Sequence, residues 1–209
     1  MKLYDCATAP SPQRVRIFLA EKEVDIPLVA VNLREGEQLG EAFRKINPDC
    51  TVPVLELDDG TMISEIFAIC LYLESQYPEP ALMGRNSVER AMVAMWNTKI
   101  EQNGIAALAE ILRNRAKGMQ DRALTGPINL AQIPQLVARG RTRAEAFFDR
   151  LDDQLRDGAY VTGEQFSMAD ITAYVMVEFA GWSKISIKES QENLQRWYNT
   201  VSKRPGTMA

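Results

Sequence analysis

The stretch Ile46–Glu74, INPDCTVPVLELDDGTMISEIFAICLYLE, decides the fold of this chain. Two short apolar runs surround the Asp-Asp-Gly sequence at 58–60, and such a turn between apolar runs is typical of a β-hairpin. The hairpin leads into Ser64–Gln76, where apolar residues recur every three or four positions, which predicts a helix. Pro53 interrupts the first run. Because proline cannot donate to a sheet ladder, it belongs at an edge, a strand start or a special turn.

Upstream of this stretch, strand and helix patterns alternate. The predicted elements are a strand at Lys2–Asp5, a helix from Ser11 to about Lys22, a strand at Leu28–Asn32 and a helix at Gln38–Ile46. Ser11 is predicted to cap the first of these helices, with Pro12 at the first helical position. The resulting order, β-α-β-α-β-β-α, predicts an α/β domain.

Downstream of this stretch, the sequence changes character. Two prolines and a glycine between Tyr77 and Asn86 indicate a linker, which we place at residues 79–86 after a first domain at 1–78. Apolar residues at helical spacing fill most of the rest, so residues 87–209 are predicted to form an all-α domain. Ser167 and Asp170 have the spacing of a capping box at the start of one of its helices.

The composition argues against several classes of protein. The 209 residues include no histidine, which excludes Ser-His-Asp and Cys-His catalysis and histidine-ligated metals within the chain. Three scattered cysteines are too few for a disulfide framework or a zinc site, and the expected compartment is a reducing cytoplasm. A net charge of −4 argues against a nucleic-acid partner. No apolar run approaches the roughly 18 residues of a membrane span, so we expect no membrane partner.

Pro53 makes the residue before it, Val52, a candidate ligand-binding residue. If the bond between them is cis, the N–H and C=O of Val52 turn outward and can pair with an extended ligand. A trans proline at a sheet edge is the alternative, and the pattern alone leaves both open.

Two predicted helix starts carry polar groups that suit a ligand. The start of the first helix has a partial positive charge and free N–H groups, which stabilise a thiolate, and the Ser11 hydroxyl can donate to that thiolate. Glu65 lies at the start of the third helix, where its carboxylate can accept from a ligand ammonium. The alternatives are structural, with Ser11 as a helix cap and Glu65 as a favourable charge at a helix end.

Three segments together resemble the cytosolic glutathione transferase superfamily: YDCATAPSPQRVRIFLAEK at 4–22, the stretch at 46–74, and FSMADITAYVMV at 166–177. They occur in the expected order and spacing, so the resemblance covers essentially the whole chain, as an atypical member of bacterial or fungal type. It implies a thioredoxin-like N-terminal domain followed by an all-α domain, in a cytoplasmic homodimer that acts in detoxification. It also implies glutathione as co-substrate, no metal, and a cis bond before Pro53.

The resemblance assigns residues to glutathione. Val52, beside Pro53, is expected to pair its backbone with the cysteinyl part. Glu65 is expected to hold the γ-glutamyl ammonium, and Gln38 to approach the glycyl carboxylate. Ile66 stands where the family has Ser or Thr to bind the γ-glutamyl carboxylate, so only its backbone N–H remains and a lower affinity is expected.

The thiolate activator departs from the family pattern. Aligned on the RVRIF segment at 14–18, the usual catalytic Ser or Cys falls on Ala9 in several classes, while Ser11 matches reactive positions of two others. We take Ser11 as the catalytic residue, with a water held by the helix dipole as the alternative. The residues expected at the electrophile pocket are Ala9, Pro10, Trp96 and Arg113.

These features predict an enzyme that activates glutathione as a thiolate and adds it to a small hydrophobic electrophile. Within the same fold, a glutathione-dependent isomerase, dehalogenase or peroxidase reaction is the alternative. A non-catalytic adaptor or regulatory binding protein is a third hypothesis, because Ala9 and Ile66 both lack the hydroxyl or thiol that the family usually has at those positions.

Overall fold

Four short strands and three α-helices build the N-terminal unit of the protein. This unit comprises residues 1–80 and 125–128 of the computed structural model, which describes residues 1–208. The strands are β1 (Lys2–Asp5), β2 (Leu28–Ala30), β3 (Val54–Glu56) and β4 (Met62–Ser64), in the sheet order β2-β1-β3-β4. β1 runs parallel to β2 and antiparallel to β3, and β3 pairs antiparallel with β4, so the predicted hairpin is confirmed.

The helices of this unit differ from prediction at their ends. They are α1 (Pro10–Glu21), α2 (Glu41–Ile46) and α3 (Ile66–Gln76). The helix predicted at Gln38–Ile46 is interrupted at Gly40, whose backbone is extended, with φ −72° and ψ 157°. A 3₁₀ turn at Glu37–Leu39 lies before Gly40, and α2 begins after it. The strand predicted at Leu28–Asn32 is shorter, since the pairing of β2 with β1 ends at Ala30.

The start of α1 corrects the predicted cap. The helix begins at Pro10, and the residue before it, Ala9, offers no side-chain hydrogen bond. Both Pro10 and Pro12 suit a first helical turn, because proline has no N–H to leave unpaired there, and the helix takes the earlier one as its first residue. Ser11 is therefore the second residue of α1, and the prediction that it caps the helix is wrong.

A buried lysine joins the ends of α1 and α3. The Lys22 side chain has no exposed surface, and its ammonium pairs with the Glu74 carboxylate at 2.5 Å. It also donates to the carbonyl oxygens of Tyr77, at 2.7 Å, and Pro80, at 2.6 Å. Three acceptors match the three donors of an ammonium group. Because Lys22 follows α1 and Tyr77 follows α3, this link joins the two helices at their C-terminal ends.

Helices make up the C-terminal unit, which comprises residues 81–124 and 129–208. They are α4 (Ser87–Ile100), α5 (Ala106–Arg115), α6 (Gln135–Gln154), α7 (Met168–Gly181), α8 (Glu192–Val201) and α9 (Pro205–Met208). A π-helical segment, Glu101–Ile105, joins α4 to α5. A Cβ on Gly104 would lie 2.0 Å from the Met176 sulfur, so the close approach of α7 requires glycine there. Within residues 1–208, no helix has both the length and the apolar character to cross a bilayer.

The predicted capping box at the start of α7 is confirmed. The Asp170 carboxylate is fully buried and accepts from the backbone N–H groups of Ser167, at 3.0 Å, and Val161, at 2.8 Å. The indole Nε1 of Trp197 donates to it at 2.9 Å. Burial raises the pKa of the Asp170 carboxyl to about 6, against these hydrogen bonds, which lower it. The predicted fold class, an α/β domain followed by an all-α domain, is confirmed.

Candidate active site

The strand register places the starts of α1 and α3 at one end of the sheet. β1 and β3 pair Tyr4 with Val54, so Cys6, two residues beyond Tyr4, is level with Val52, two residues before Val54. Cys6 packs against the apolar cluster that contains Val52. β3 and β4 pair Val54 with Ser64, which lies two residues before α3. Val52 therefore lies between the loop that leads into α1 and the turn that leads into α3.

Val52 carries unpaired backbone groups in a buried position. It is 8% exposed, and its peptide bond to Pro53 is cis. Among the residues that the structure describes, neither the N–H nor the C=O of Val52 has a hydrogen-bond partner. Buried backbone groups without partners are uncommon in proteins. Val52 thus offers one donor and one acceptor to an extended ligand, in the manner of an added strand.

The first turn of α1 concentrates its free donors on Ser11. Pro10 and Pro12 have no N–H, and the Gln13 N–H donates to the Ala9 carbonyl at 3.3 Å. Within residues 1–208, the Ser11 N–H has no partner. Ser11 therefore presents a backbone N–H and a hydroxyl at the positive end of the helix dipole, an arrangement that stabilises an anion.

Two arginines make polar contacts near the start of α1. The Arg16 guanidinium pairs with the buried Asp5 carboxylate at 2.5 Å and donates to the Ala7 carbonyl at 2.9 Å, which ties the loop before α1 to β1. Arg14 is only 2% exposed, and its Nη2 lies 3.4 Å from Ser11 Oγ. Arg14 is not among the site residues predicted from the sequence. The signal available was its spacing of three residues from Ser11, which places both on one face of a helix.

The start of α3 also lacks a side-chain cap. Glu65 precedes the helix with φ 67° and ψ 123°, a strained conformation for a residue other than glycine. Its carboxylate is exposed and has no hydrogen-bond or ion-pair partner among residues 1–208, whereas its carbonyl accepts from the Ile69 N–H at 3.0 Å. In the same described part of the chain, the N–H groups of Ile66 and Phe67 have no partner. A free carboxylate thus lies beside free amide donors, which suits a ligand that carries both an ammonium and a carboxylate.

Gln38 lies in the 3₁₀ turn before α2. Its Oε1 is buried without a hydrogen-bond partner in the described chain, which marks the amide as a group that a ligand can satisfy. Thr51, next to Val52, already binds within the protein, because the Asn47 side-chain amide donates to its carbonyl and to its hydroxyl, both at 2.9 Å. Among residues 1–208, no group of three His, Cys, Asp or Glu side chains is arranged to hold a metal ion.

Tyr4 is unsuited to activate a thiol. Its ring is buried in the sheet, and its hydroxyl donates to Glu56 Oε2 at 2.7 Å. Burial raises the pKa of the Tyr4 hydroxyl, and the nearby Glu56 raises it further. The hydroxyl therefore stays protonated and bound to a carboxylate, and Tyr4 is a core residue of the sheet.

The residues predicted for the electrophile pocket are distributed over both units. Ala9 and Pro10 are half-buried at the start of α1, in the N-terminal unit. In the C-terminal unit, Trp96 is 5% exposed beneath the Lys99 ammonium, and Arg113 donates to the Arg122 carbonyl at 2.9 Å. Trp96 and Arg113 are 17 residues apart on the continuous run from α4 to α5, which is about 25 Å along a straight helix. They mark two places on that run rather than one cluster.

Family models match most of the chain. A model described as "Glutathione S-transferase, N-terminal domain" matches residues 8–76. A second, described as "Glutathione S-transferase, C-terminal domain", matches residues 134–199. The first match includes the start of α1, Val52 and the start of α3, and the second includes the capping box of α7.

Individual proteins are similar over nearly the whole length. Glutathione S-transferase 2 of Saccharomyces cerevisiae is 36% identical over 208 residues, which cover 98% of this chain and 87% of that protein. A crystal structure of a glutathione S-transferase domain-containing protein from Marinobacter aquaeolei has 36% identity and a TM-score of 0.91, covering 99% of this chain and 100% of the other. Maleylacetoacetate isomerase of Rattus norvegicus is 29% identical over 193 residues, which cover 88% of this chain and 80% of that protein.

Proposed function

The chain belongs to the glutathione S-transferase family, and on that premise we propose that it activates the thiol of glutathione and transfers it to a small hydrophobic electrophile. In this proposal residues 1–78 bind glutathione and residues 87–209 contribute the electrophile site. The observation that carries the proposal is the open start of α1, where Ser11 presents two free donors in the same unit as the unpaired backbone of Val52.

The open groups of the N-terminal unit match the functional groups of glutathione one by one. The Val52 N–H and C=O suit the cysteinyl backbone, which then lies like an added strand. The Glu65 carboxylate suits the γ-glutamyl ammonium, and the N–H groups of Ile66 and Phe67 suit the γ-glutamyl carboxylate. The Gln38 amide suits the glycyl carboxylate. This correspondence supports glutathione as the co-substrate.

In this mechanism, Ser11 holds the sulfur as a thiolate. The Ser11 hydroxyl and N–H donate to the sulfur, and the positive end of the α1 dipole favours its negative charge, so the pKa of the thiol falls. The thiol proton leaves to solvent, a sulfur–carbon bond forms to the electrophile, and the leaving group departs with its electron pair. Neither a metal nor a covalent bond to the protein is needed.

Removal of the Ser11 hydroxyl tests this step. We expect Ser11→Ala to raise the pKa of bound glutathione and to lower turnover by roughly 10²–10³, as for the loss of one donor to a developing anion. Ultraviolet absorbance of the bound thiolate measures the first effect, and conjugation of 1-chloro-2,4-dinitrobenzene measures the second. Unchanged turnover and an unmoved thiolate titration would leave the helix dipole and a bound water as the activator.

An isomerase reaction is the second candidate, because a relative of similar length is named as an isomerase. The thiolate would add to a carbon–carbon double bond, the resulting single bond would rotate, and the thiolate would be eliminated. This sequence converts a cis double bond into a trans one without consuming glutathione. A count of free thiols during turnover separates the two reactions. Conjugation consumes one thiol for each product molecule, whereas isomerisation leaves the number of thiols constant.

We also propose that the protein is a homodimer. Large apolar side chains are exposed on β4 and α3, at Met62 and Leu71, and on α4, at Val88 and Met95. A contiguous exposed apolar patch marks a protein–protein contact, and these side chains are the candidates for such a patch. Sedimentation velocity of the wild type and of Leu71→Glu checks the proposal. A monomeric wild type contradicts it, and a dimer that Leu71→Glu weakens supports it.

A cytoplasmic location completes the proposal. Cys6 and Cys50 carry free thiols in the described chain, as expected in a reducing compartment. Fractionation of cells that express the tagged protein tests this location, and recovery outside the cytoplasm would contradict it.

A further inference from the structure

Arg14 is a buried arginine in α1, which is an unusual environment for this side chain. Arginine is seldom fully buried in proteins, yet this side chain is only 2% exposed in the first turns of a helix. It lies three residues after Ser11, on the same helix face, and its Nη2 is 3.4 Å from Ser11 Oγ. The mechanism described above does not use it.

The hydrogen bond between Arg14 and Ser11 can run in only one direction. A guanidinium has only N–H donors, so Ser11 Oγ must act as the acceptor. The single hydroxyl proton of Ser11 then points away from Arg14 and is available to another acceptor. A hydroxyl that accepts from a cation is polarised and becomes a stronger donor in its turn.

We propose that Arg14 is a positioning residue, which fixes the Ser11 hydroxyl as a donor to the glutathione sulfur and strengthens that donation. This inference rests on the proposed function, because it needs Ser11 to contact the thiolate. It adds that the donor strength of Ser11 is set by a buried cation rather than by the start of the helix alone.

Arg16 shows what a purely structural arginine looks like in the same helix. Its guanidinium is paired with the Asp5 carboxylate and with the Ala7 and Cys6 carbonyls, and no hydrogen bond joins it to Ser11 in the described chain. Substitution of Arg16 loosens the loop before α1. Substitution of Arg14 acts on the hydroxyl itself, so the two arginines form a matched pair for the experiment.

A double-mutant cycle tests the proposal. The proteins are wild type, Ser11→Ala, Arg14→Met and the double variant, with a parallel cycle that replaces Arg14→Met by Arg16→Met. The measured quantities are the pKa of bound glutathione from its thiolate absorbance, the Kd for glutathione, and kcat/KM against pH. Arg14→Lys, which keeps a charged donor, is included as the conservative variant, and it replaces Arg14→Met if that variant does not fold.

We expect Arg14→Met to raise the pKa of bound glutathione by about one unit and to lower kcat/KM near neutral pH by about tenfold. Turnover should recover at high pH, where the thiol ionises without help. In the Ser11→Ala background, Arg14→Met should have no further effect on the thiolate, whereas the effects of Arg16→Met and Ser11→Ala should simply multiply. Arg14→Lys should raise the pKa less than Arg14→Met does.

Two contrary results are distinguishable. If Ser11→Ala leaves the thiolate pKa unchanged, the proposed role of Ser11 fails and the inference fails with it. If Ser11→Ala raises the pKa but Arg14→Met does not, or if their effects multiply independently, Ser11 acts without Arg14 and only this inference is overturned. A variant that loses stability with an unmoved thiolate pKa also overturns it, since that is the signature of a structural arginine.

Discussion

Helices α1 and α3 of the N-terminal unit differ from helices α4 and α7 of the C-terminal unit in how the N–H groups at their starts are satisfied. In the N-terminal unit, α1 and α3 begin after Ala9 and Glu65, and neither residue caps the helix with its side chain. In the C-terminal unit, Asn86 accepts from the first N–H groups of α4, and the Ser167–Asp170 capping box closes the start of α7. A helix start that is closed by its own side chains stabilises the fold, whereas one that stays open offers its donors to a ligand.

The same contrast appears in the carboxylates at these starts. Asp170 is fully buried and bound by three N–H donors, two from the backbone and one from Trp197. Glu65 is exposed, strained in its backbone and without a partner in the described chain. The Asp170 carboxylate is already hydrogen-bonded within the protein, whereas the Glu65 carboxylate is open to a ligand. The comparison predicts that substitutions at Asp170 change stability, and that substitutions at Glu65 change binding.

Asp170→Ala has the largest expected effect. It leaves three buried N–H donors without an acceptor, and each costs about 1–3 kcal/mol, so we expect the free energy of unfolding to fall by about 3–5 kcal/mol. Urea denaturation measures the loss. The control is Asp153→Ala, which removes an exposed carboxylate paired with Arg156 and should change stability by less than about 0.5 kcal/mol. A loss at Asp170 as small as the control would mean that this start is not closed by the carboxylate.

Glu65→Ala tests the open start of α3. We expect glutathione affinity to fall by about 2 kcal/mol, near the lower end for a charged pair because Glu65 is exposed, with little change in stability. Calorimetric titration with glutathione measures the affinity. Glu41→Ala, at the exposed acid in the first turn of α2, is the control and should bind like the wild type. Binding within a factor of three of wild type for Glu65→Ala would remove this residue from the site.

Glu65→Gly separates backbone strain from ligand binding, because it should raise stability and lower glutathione affinity. Glycine adopts φ 67° without steric cost, so relief of backbone strain should raise the free energy of unfolding by roughly 1 kcal/mol. Loss of the carboxylate should weaken glutathione binding as much as Glu65→Ala does. Paired urea denaturation and calorimetry check both, and a stability equal to or lower than that of the wild type would show that the conformation is not strained.

The pH dependence of stability should carry the signature of Asp170. Burial raises its folded pKa to about 6, above the ordinary value of 3.8, so the folded state binds a proton more tightly than the unfolded state between these values. The contribution of Asp170 therefore increases stability as pH falls, by about 1 kcal/mol from pH 7 to pH 5. Urea denaturation at both pH values, in wild type and Asp170→Asn, isolates this effect. A stability difference between the two proteins that does not change with pH would contradict the raised pKa.

Ile66→Ser has the smallest expected effect. The new hydroxyl adds a donor to the two N–H groups at the start of α3, which should tighten glutathione binding by about 0.5–1.5 kcal/mol. Calorimetry measures the change, with Ile66→Ala as the control for loss of the apolar side chain. Equal affinity for the Ser and Ala variants would mean that the γ-glutamyl carboxylate does not lie at this helix start.

More of the fold than of the candidate site could be predicted from the sequence. The hairpin around residues 58–60 and the capping box at Asp170 follow from local turn and cap chemistry, so both were predictable. The cap of α1 was not, because Ser11 lies between two prolines that suit a first helical turn equally well. The positive φ of Glu65 leaves no mark in the sequence, since it arises from the connection between β4 and α3. The segment at 125–128 belongs to the N-terminal unit through long-range packing, which no periodicity reveals.

The backbone amides themselves provide the most direct test of the central claim, that open helix starts of the N-terminal unit bind glutathione while the closed starts of the C-terminal unit do not. Proton–nitrogen correlation spectra of the labelled protein, recorded during titration with glutathione, report on each amide separately. We expect large, saturable shifts for the amides of Ser11, Val52 and Ile66, and no shift for those of Val88 and Asp170. Saturable binding that leaves the Ser11, Val52 and Ile66 amides unmoved would contradict it.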